Sequence, residues 1–189
     1  MTGSVRLPLL FLDVDGPLIP FGGEPGRYPT YPLAPGLPGA AANPLLARID
    51  PRHGARLAAL GCEVVWATTW MDKANECIAP LLGLPRLAVV DWPEPSETDD
   101  RDERDGLHWK TRALVEWAAG EPFVWVDDEV TDTDRAWVAA HHGRHALVHR
   151  VDARLGLTDD DYAALTAWLR QLFEAKDRQP LEGGPFGGN

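Results

Sequence analysis

The chain has 189 residues, of which 44% are hydrophobic and 25% charged, and these values suit one globular domain with a proper core. The formal net charge of −11 argues against a large basic surface for long nucleic acid or an anionic membrane, although it leaves room for a local basic pocket. We see no secretory signal and no apolar stretch of transmembrane length, and therefore expect a cytoplasmic protein that does not bind membranes.

Five apolar segments predict β-strands, at residues 8–14, 62–68, 86–92, 122–128 and 145–151. The first four are nearly continuous apolar runs, which are typical of strands buried on both faces of a parallel sheet, whereas the fifth is more broken and suits an edge. Helical patterns lie at residues 51–60, 71–83, 108–120, 132–143 and 158–175. Because strands and helices alternate, we predict a doubly wound α/β fold with a mostly parallel five-stranded sheet flanked by helices.

Three segments interrupt this alternation. Residues 16–44 are rich in Pro and Gly and predict a long loop, which in a compact domain is usually functional or disordered. Residues 93–106 carry many charges of both signs and predict a solvated loop. Residues 178–189 predict a disordered tail. We therefore expect one domain over residues 1–177.

Polar side chains follow three of the predicted strands, at the edge of an open α/β sheet where ligands bind. They are Asp13 and Asp15 after the first strand, Thr68 and Thr69 after the second, Asp127 and Asp128 after the fourth, and Lys110 at the start of the helix that precedes the fourth. Four carboxylates in one place repel each other, and a bound Mg²⁺ ion would relieve this repulsion. A lysine and a hydroxyl beside such an ion suit a phosphoryl group, so the pattern predicts magnesium-dependent phosphate chemistry.

The order of these motifs resembles that of the haloacid dehalogenase-like (HAD) phosphohydrolase superfamily. The matching motifs are "DVDG" at residues 13–16, Thr68 after an apolar strand, Lys110, and "DD" at residues 127–128. The resemblance extends from the first predicted strand to the fifth. It implies a Rossmann-like fold, a Mg²⁺ cofactor and phosphomonoester hydrolysis. Members of this superfamily insert cap modules after the first motif or between the second strand and the lysine motif. Neither interval of this chain has the composition of a large cap. We therefore expect a small or capless member with an open site, or one covered only by residues 16–44.

The resemblance also implies a role for each residue. Asp13 would be the nucleophile that forms an aspartyl-phosphate, and Asp15 would be the general acid and base. Lys110 would pair with Asp13 and the phosphoryl oxygens. The metal ligands would be Asp13, Asp127, Asp128 and the main-chain carbonyl of Asp15. Thr68 would bind the phosphoryl group, and Gly16 would permit a tight turn.

Two assignments stay open at this point, and one alternative reading of the first motif is excluded. Thr69 rivals Thr68 as the phosphoryl ligand, because a one-residue slip at the end of the strand exchanges the two hydroxyls. Asp127 and Asp128 cannot be ranked as direct metal ligands. A calcium loop beginning at Asp13 is excluded, since Pro17 and Leu18 stand where an oxygen ligand and a glycine are required.

We therefore predict a hydrolase that acts on a small phosphorylated metabolite or a phosphorylated macromolecule, long nucleic acid being disfavoured by the acidic charge. The alternatives are phosphotransfer by the same residues and a non-catalytic phosphate-binding module. The sequence leaves the oligomeric state open. Trp70, Trp92 and Trp109 lie near the predicted site, where we favour packing over stacking on a substrate ring.

Overall fold

The computed structural model describes residues 6–24, 26–39, 43–94, 101–102, 104–143 and 145–177. The predicted tail at 178–189 lies outside these residues, as do residues 95–100 and 103 of the predicted charged loop and residues 25 and 40–42 of the predicted Pro/Gly-rich loop. In chain order the strands are β1 (Leu9–Leu12), β2 (Glu63–Trp66), β3 (Ala88–Val89), β4 (Phe123–Asp127) and β5 (Ala146–Arg150). The helices are α1 (Arg52–Ala59), α2 (Lys73–Cys77), α3 (Ala79–Leu82), α4 (Lys110–Ala118), α5 (Asp132–His141) and α6 (Asp159–Asp177), with a 3-10 helix at Pro44–Arg48.

The five strands form one sheet in the order β3-β2-β1-β4-β5, and every neighbouring pair is parallel. This confirms the predicted doubly wound fold and places β5 at an edge, as its broken apolar pattern indicated. Leu12 of β1 is in register with Trp66 of β2 and with Val126 of β4. The residues that follow these three strands therefore meet at the centre of the carboxyl-terminal edge.

Two hydrophobic clusters fill the two faces of the sheet, because successive side chains of a strand point to opposite sides. Leu10 and Leu12 of β1 pack on the face covered by α1 and α6, while Leu9 and Phe11 pack on the face covered by α4 and α5. Burial on both faces explains the nearly continuous apolar runs of the central strands. No helix among the described residues is long and apolar enough to cross a membrane.

Two predicted elements are shorter or more broken than their patterns indicated. The helix predicted over 71–83 is divided into α2 and α3, where Pro80 in the first turn of α3 has no N–H to donate. The strand predicted over 86–92 pairs only at Ala88–Val89. The amide of Asn75 accounts for part of this loss, because it accepts from Leu87 N at 2.8 Å and donates to Leu87 O at 3.0 Å.

The predicted solvated loop at 93–106 is wrong in one part. Residues 101–102 are helical, and Asp102 is buried where its carboxylate accepts hydrogen bonds from the Arg112 guanidinium of α4. Its main-chain carbonyl accepts from Leu107 N at 2.8 Å. Asp102 therefore fixes this end of the segment to α4, while residues 93–94, 101 and 104–106 are exposed as predicted.

Candidate active site

A buried lysine lies between two aspartates at the carboxyl-terminal edge of the sheet. Lys110 Nζ donates to Asp13 Oδ2 at 2.7 Å and to Asp127 Oδ2 at 2.9 Å. Asp13 follows β1, Asp127 ends β4, and Lys110 begins α4, so three separate elements deliver the three charges. Lys110 is only 2% exposed and Asp127 is fully buried, so water screens these charges weakly.

Both acids are further oriented by main-chain and indole donors. Val14 N donates to Asp13 Oδ1 at 2.7 Å, and Glu129 N donates to Asp127 Oδ1 at 2.9 Å. The Trp125 indole donates to Asp127 Oδ2 at 3.2 Å. These donors fix the two carboxylates before any ligand arrives, which is what a preorganised ionic site requires.

The acids outweigh the single lysine. Carboxylate oxygens of Asp13, Asp127 and Asp128 lie within 4.8 Å of one another. Burial raises the pKa of Asp13 to about 7, with a further increase from the charge of Asp127, although Lys110 opposes the shift. Burial and the charge of Asp127 likewise raise the pKa of Asp128 to about 6. The pKa of Lys110 is raised, because its attraction to the two acids outweighs the opposing effect of burial.

This donor set fits a hard divalent cation. All the clustered ligand atoms are carboxylate oxygens, which Mg²⁺ prefers, and three carboxylates surround a single lysine. A second group, His108, Asp127 and Glu129, also brings ligand atoms within 4.8 Å of one another and shares Asp127 with the first. His108 Nε2 lies 3.3 Å from Glu129 Oε2.

The turn that follows Asp13 places Asp15 beside a tryptophan. β1 ends at Leu12, and Val14 O accepts from Leu18 N and Ile19 N, so the extended strand does not continue to Asp15. The Trp70 indole donates to Asp15 Oδ2 at 2.9 Å. Asp15 is only partly buried, and its carboxylate therefore stays within reach of solvent.

Gly16 is required by this turn for two reasons. Its φ of +82° lies in the left-handed region, and an added Cβ would stand 2.4 Å from both Cγ and Oδ1 of Asp128. The missing side chain thus lets the β1 turn approach the carboxylate that follows β4. The close approach brings Asp128 into the cluster with Asp13.

The two threonines differ clearly in their surroundings. Thr68 is fully buried at the end of β2, and its Oγ1 accepts from Trp70 N at 3.3 Å, whereas Thr69 is exposed. The Trp92 indole donates to Thr68 O at 3.2 Å. Trp109 packs edge-on against Trp92 with a centroid distance of 4.8 Å and remains 43% exposed.

Sequence reasoning missed Asp134, which fixes the start of α4. This fully buried carboxylate accepts from His108 N at 2.8 Å, from Thr111 Oγ1 at 2.7 Å and from Thr131 N at 2.7 Å. It also completes a capping box with Thr131 at the start of α5. The spacing of Thr131 and Asp134 contains this local signal, but the contacts to α4 are visible only in three dimensions. Asp134 thereby helps to position Lys110.

Comparison with known proteins identifies one family. A family model described as "HAD domain in Swiss Army Knife RNA repair proteins" matches residues 9–162. This span contains every residue of the acidic cluster, Lys110 and both threonines. No curated protein and no solved structure matches the chain.

Proposed function

The chain belongs to the family of HAD domains in Swiss Army Knife RNA repair proteins, and from this premise we propose that it is a Mg²⁺-dependent phosphomonoester hydrolase working through an aspartyl-phosphate. Family membership indicates phosphoesterase or phosphotransferase activity of the HAD type. The observation that carries the finer proposal is the Lys110 ammonium held between Asp13 and Asp127, with Asp128 in the same acidic cluster.

Asp13 provides the nucleophile in this proposal. Its carboxylate oxygen attacks phosphorus, a P–O bond to Asp13 forms, and the bond to the leaving oxygen breaks. Asp15 gives its proton to that leaving oxygen, for which its partial exposure is suitable. Water then attacks the phosphoryl group, Asp15 takes a proton from the water, and breaking the P–O bond restores the Asp13 carboxylate.

The remaining residues hold charge and orientation. Lys110 stays protonated beside its two acids and donates to the phosphoryl oxygens as negative charge develops on them. Asp13, Asp127 and Asp128, with the main-chain carbonyl of Asp15, would hold Mg²⁺, which when bound supplies positive charge to the phosphoryl group. Thr68 is favoured over Thr69 as a phosphoryl ligand because it lies buried beside the Asp15 turn, where Trp70 contacts both.

The proposed substrate is a phosphorylated metabolite or a phosphorylated macromolecule. Because the family occurs in RNA repair proteins, a phosphorylated RNA end is one candidate within this class. The hydrolytic and transfer reactions use the same residues and differ only in the acceptor. Adding glycerol to the assay and analysing the products for glycerol phosphate distinguishes them.

Hydrolysis of a generic aryl phosphate tests the proposal. We expect turnover that requires Mg²⁺ and that falls by about 10⁴-fold or more in Asp13→Asn, because the nucleophile is removed. Asp160→Asn is the matched control, since it removes an exposed acid of α6 far along the chain from the cluster. Full activity in Asp13→Asn would reject the nucleophile, and turnover in the presence of excess EDTA would reject the metal requirement.

A further inference from the structure

Two neighbouring cavities lie beside the acidic cluster, and one of them includes a residue of that cluster. The first, of about 690 Å³, is lined by Asp128 of the cluster together with Phe21, Arg150 and Arg154. The second, of about 510 Å³, lies between the loop after Gly16, α1 and the start of α6. Arg154 lines both cavities, so the two adjoin at this side chain, and Asp128 lies at the wall of the first.

This surface carries the opposite charge to the rest of the chain. We call its six arginines the arginine tract: Arg27, Arg48, Arg52, Arg56, Arg150 and Arg154. The two cavities hold these six arginines and four acids, which leaves a small positive excess, although the chain as a whole has a net charge of −11. A local positive surface on an acidic protein attracts a polyanion to one place and repels it elsewhere.

Neighbouring groups fix the tract in place. Arg150 Nε donates to the main-chain carbonyl of Asp128 at 3.0 Å, which ties the tract directly to the acidic cluster. Arg154 pairs with Asp152, and Arg52 pairs with Asp50. The side chains of Arg52 and Arg154 are 81% and 65% exposed, so both guanidinium groups face solvent, where a phosphate can compete for them.

Aromatic rings line the two cavities together with the arginines. Phe21 is 42% exposed at the first cavity, and Tyr28 and Tyr31 line the second. The guanidinium of Arg48 lies over the Tyr28 ring, 4.4 Å from its centroid. Cationic groups interleaved with aromatic faces are the features that bind the backbone and stack the bases of single-stranded nucleic acid, whereas an acidic peptide would need only the charges.

We propose that the arginine tract binds the phosphodiester backbone of a short single-stranded RNA segment whose terminal phosphate reaches the acidic cluster. The location of the terminal phosphate rests on the proposed function; binding of the strand does not. The small number of arginines limits the site to a short segment, which agrees with the expectation from net charge that long nucleic acid is disfavoured.

Fluorescence anisotropy tests the tract. The probes are single-stranded RNAs of about ten nucleotides, with a 5′- or a 3′-terminal phosphate and the dye at the other end. All proteins carry Asp13→Asn to prevent turnover. We expect Arg52→Gln with Arg154→Gln to weaken binding by about tenfold and to reduce the slope of log K against log salt by about 1.4, since about 0.7 of a counterion is released per single-strand phosphate contact.

Arg86→Gln is the matched control. Arg86 is 68% exposed and paired with Asp72, so its removal lowers the net charge by one and frees one acid, as each substitution of the double variant does. It lies before β3, at the opposite edge of the sheet from β5. We expect it to leave RNA affinity unchanged. Equal losses in the control and the double variant would overturn the proposal, as would RNA binding that neither change affects. Competition by poly-glutamate as strong as that by unlabelled RNA would overturn it too, and would favour a protein partner.

The aryl phosphate assay separates the two proposals. If the proposed function fails, the otherwise unaltered protein shows no turnover, while the anisotropy assay still reports on the tract. If the tract proposal fails, aryl phosphate is hydrolysed but RNA affinity does not depend on Arg52 and Arg154. With both proposals correct, kcat/KM for the phosphorylated RNA falls relative to kcat/KM for aryl phosphate in the double variant.

Discussion

Replacing Gly16 by alanine should disturb the acidic cluster through one added methyl group. The φ of +82° disfavours alanine by about 1–2 kcal/mol. In addition, the new Cβ would stand 2.4 Å from Cγ and 2.7 Å from Cβ of Asp128, so the whole Asp128 side chain must move. Overpacking of this kind costs about 1–3 kcal/mol, and we therefore expect the free energy of unfolding to fall by about 2–5 kcal/mol.

Gly120→Ala is the control for backbone strain. Gly120 has a φ of +84°, but an added Cβ would meet no atom within 4 Å. Urea unfolding followed by tryptophan fluorescence should show a loss of about 1–2 kcal/mol in this variant. The Mg²⁺ concentration that gives half-maximal aryl phosphate hydrolysis should rise in Gly16→Ala and stay constant in Gly120→Ala. Equal unfolding free energies and equal Mg²⁺ requirements in the two variants would refute the close contact with Asp128.

Three further predictions concern the residues that surround the cluster. Lys110→Met should lower kcat for aryl phosphate by about 10²–10³-fold, because it removes a preorganised cation. The control Lys73→Met changes an exposed lysine and should leave kcat unchanged. Trp70→Phe removes the indole donor that orients Asp15, so we expect kcat to fall while the protein keeps its Tm; an unchanged kcat would contradict the contact. Asp134→Asn should destabilise the fold by about 2 kcal/mol at pH 7 in urea unfolding. Hydrogen bonds from Thr111 and main-chain N–H groups outweigh burial and lower the pKa of Asp134, so its stabilisation is present above the unfolded-state pKa and is lost as pH falls below it. The difference between Asp134→Asn and the unaltered protein should therefore shrink from pH 5 towards pH 3, and a constant difference would contradict this role.

The sheet was predictable from sequence because each central strand is buried on both faces and leaves a nearly continuous apolar run. The ends of the elements were less predictable, since they depend on contacts between distant residues. β1 ends at Leu12 because the Val14 carbonyl is used by the turn to Leu18 and Ile19. β3 is short partly because the amide of Asn75 bonds the main chain of Leu87.

In the candidate site, too, some features were predictable from the sequence and others depend on contacts between distant residues. The convergence of Asp13, Lys110 and Asp127 follows from motif order and from the rule that parallel strands end at one edge. The contacts made by Asp134 and the arginine tract depend on how α4, α5, α1 and α6 pack, for which local sequence gives little signal. The arginines of the tract are spread from residue 27 to residue 154, and only the fold brings them to one surface.

The proposed aspartyl-phosphate is tested most directly by trapping it. The protein is mixed with aryl phosphate and Mg²⁺, quenched in acid within one turnover, and analysed by intact mass and peptide mapping. We predict one added phosphoryl group on Asp13 and none in Asp13→Asn. Turnover without any adduct on Asp13, or an adduct on another residue, would contradict the proposed mechanism.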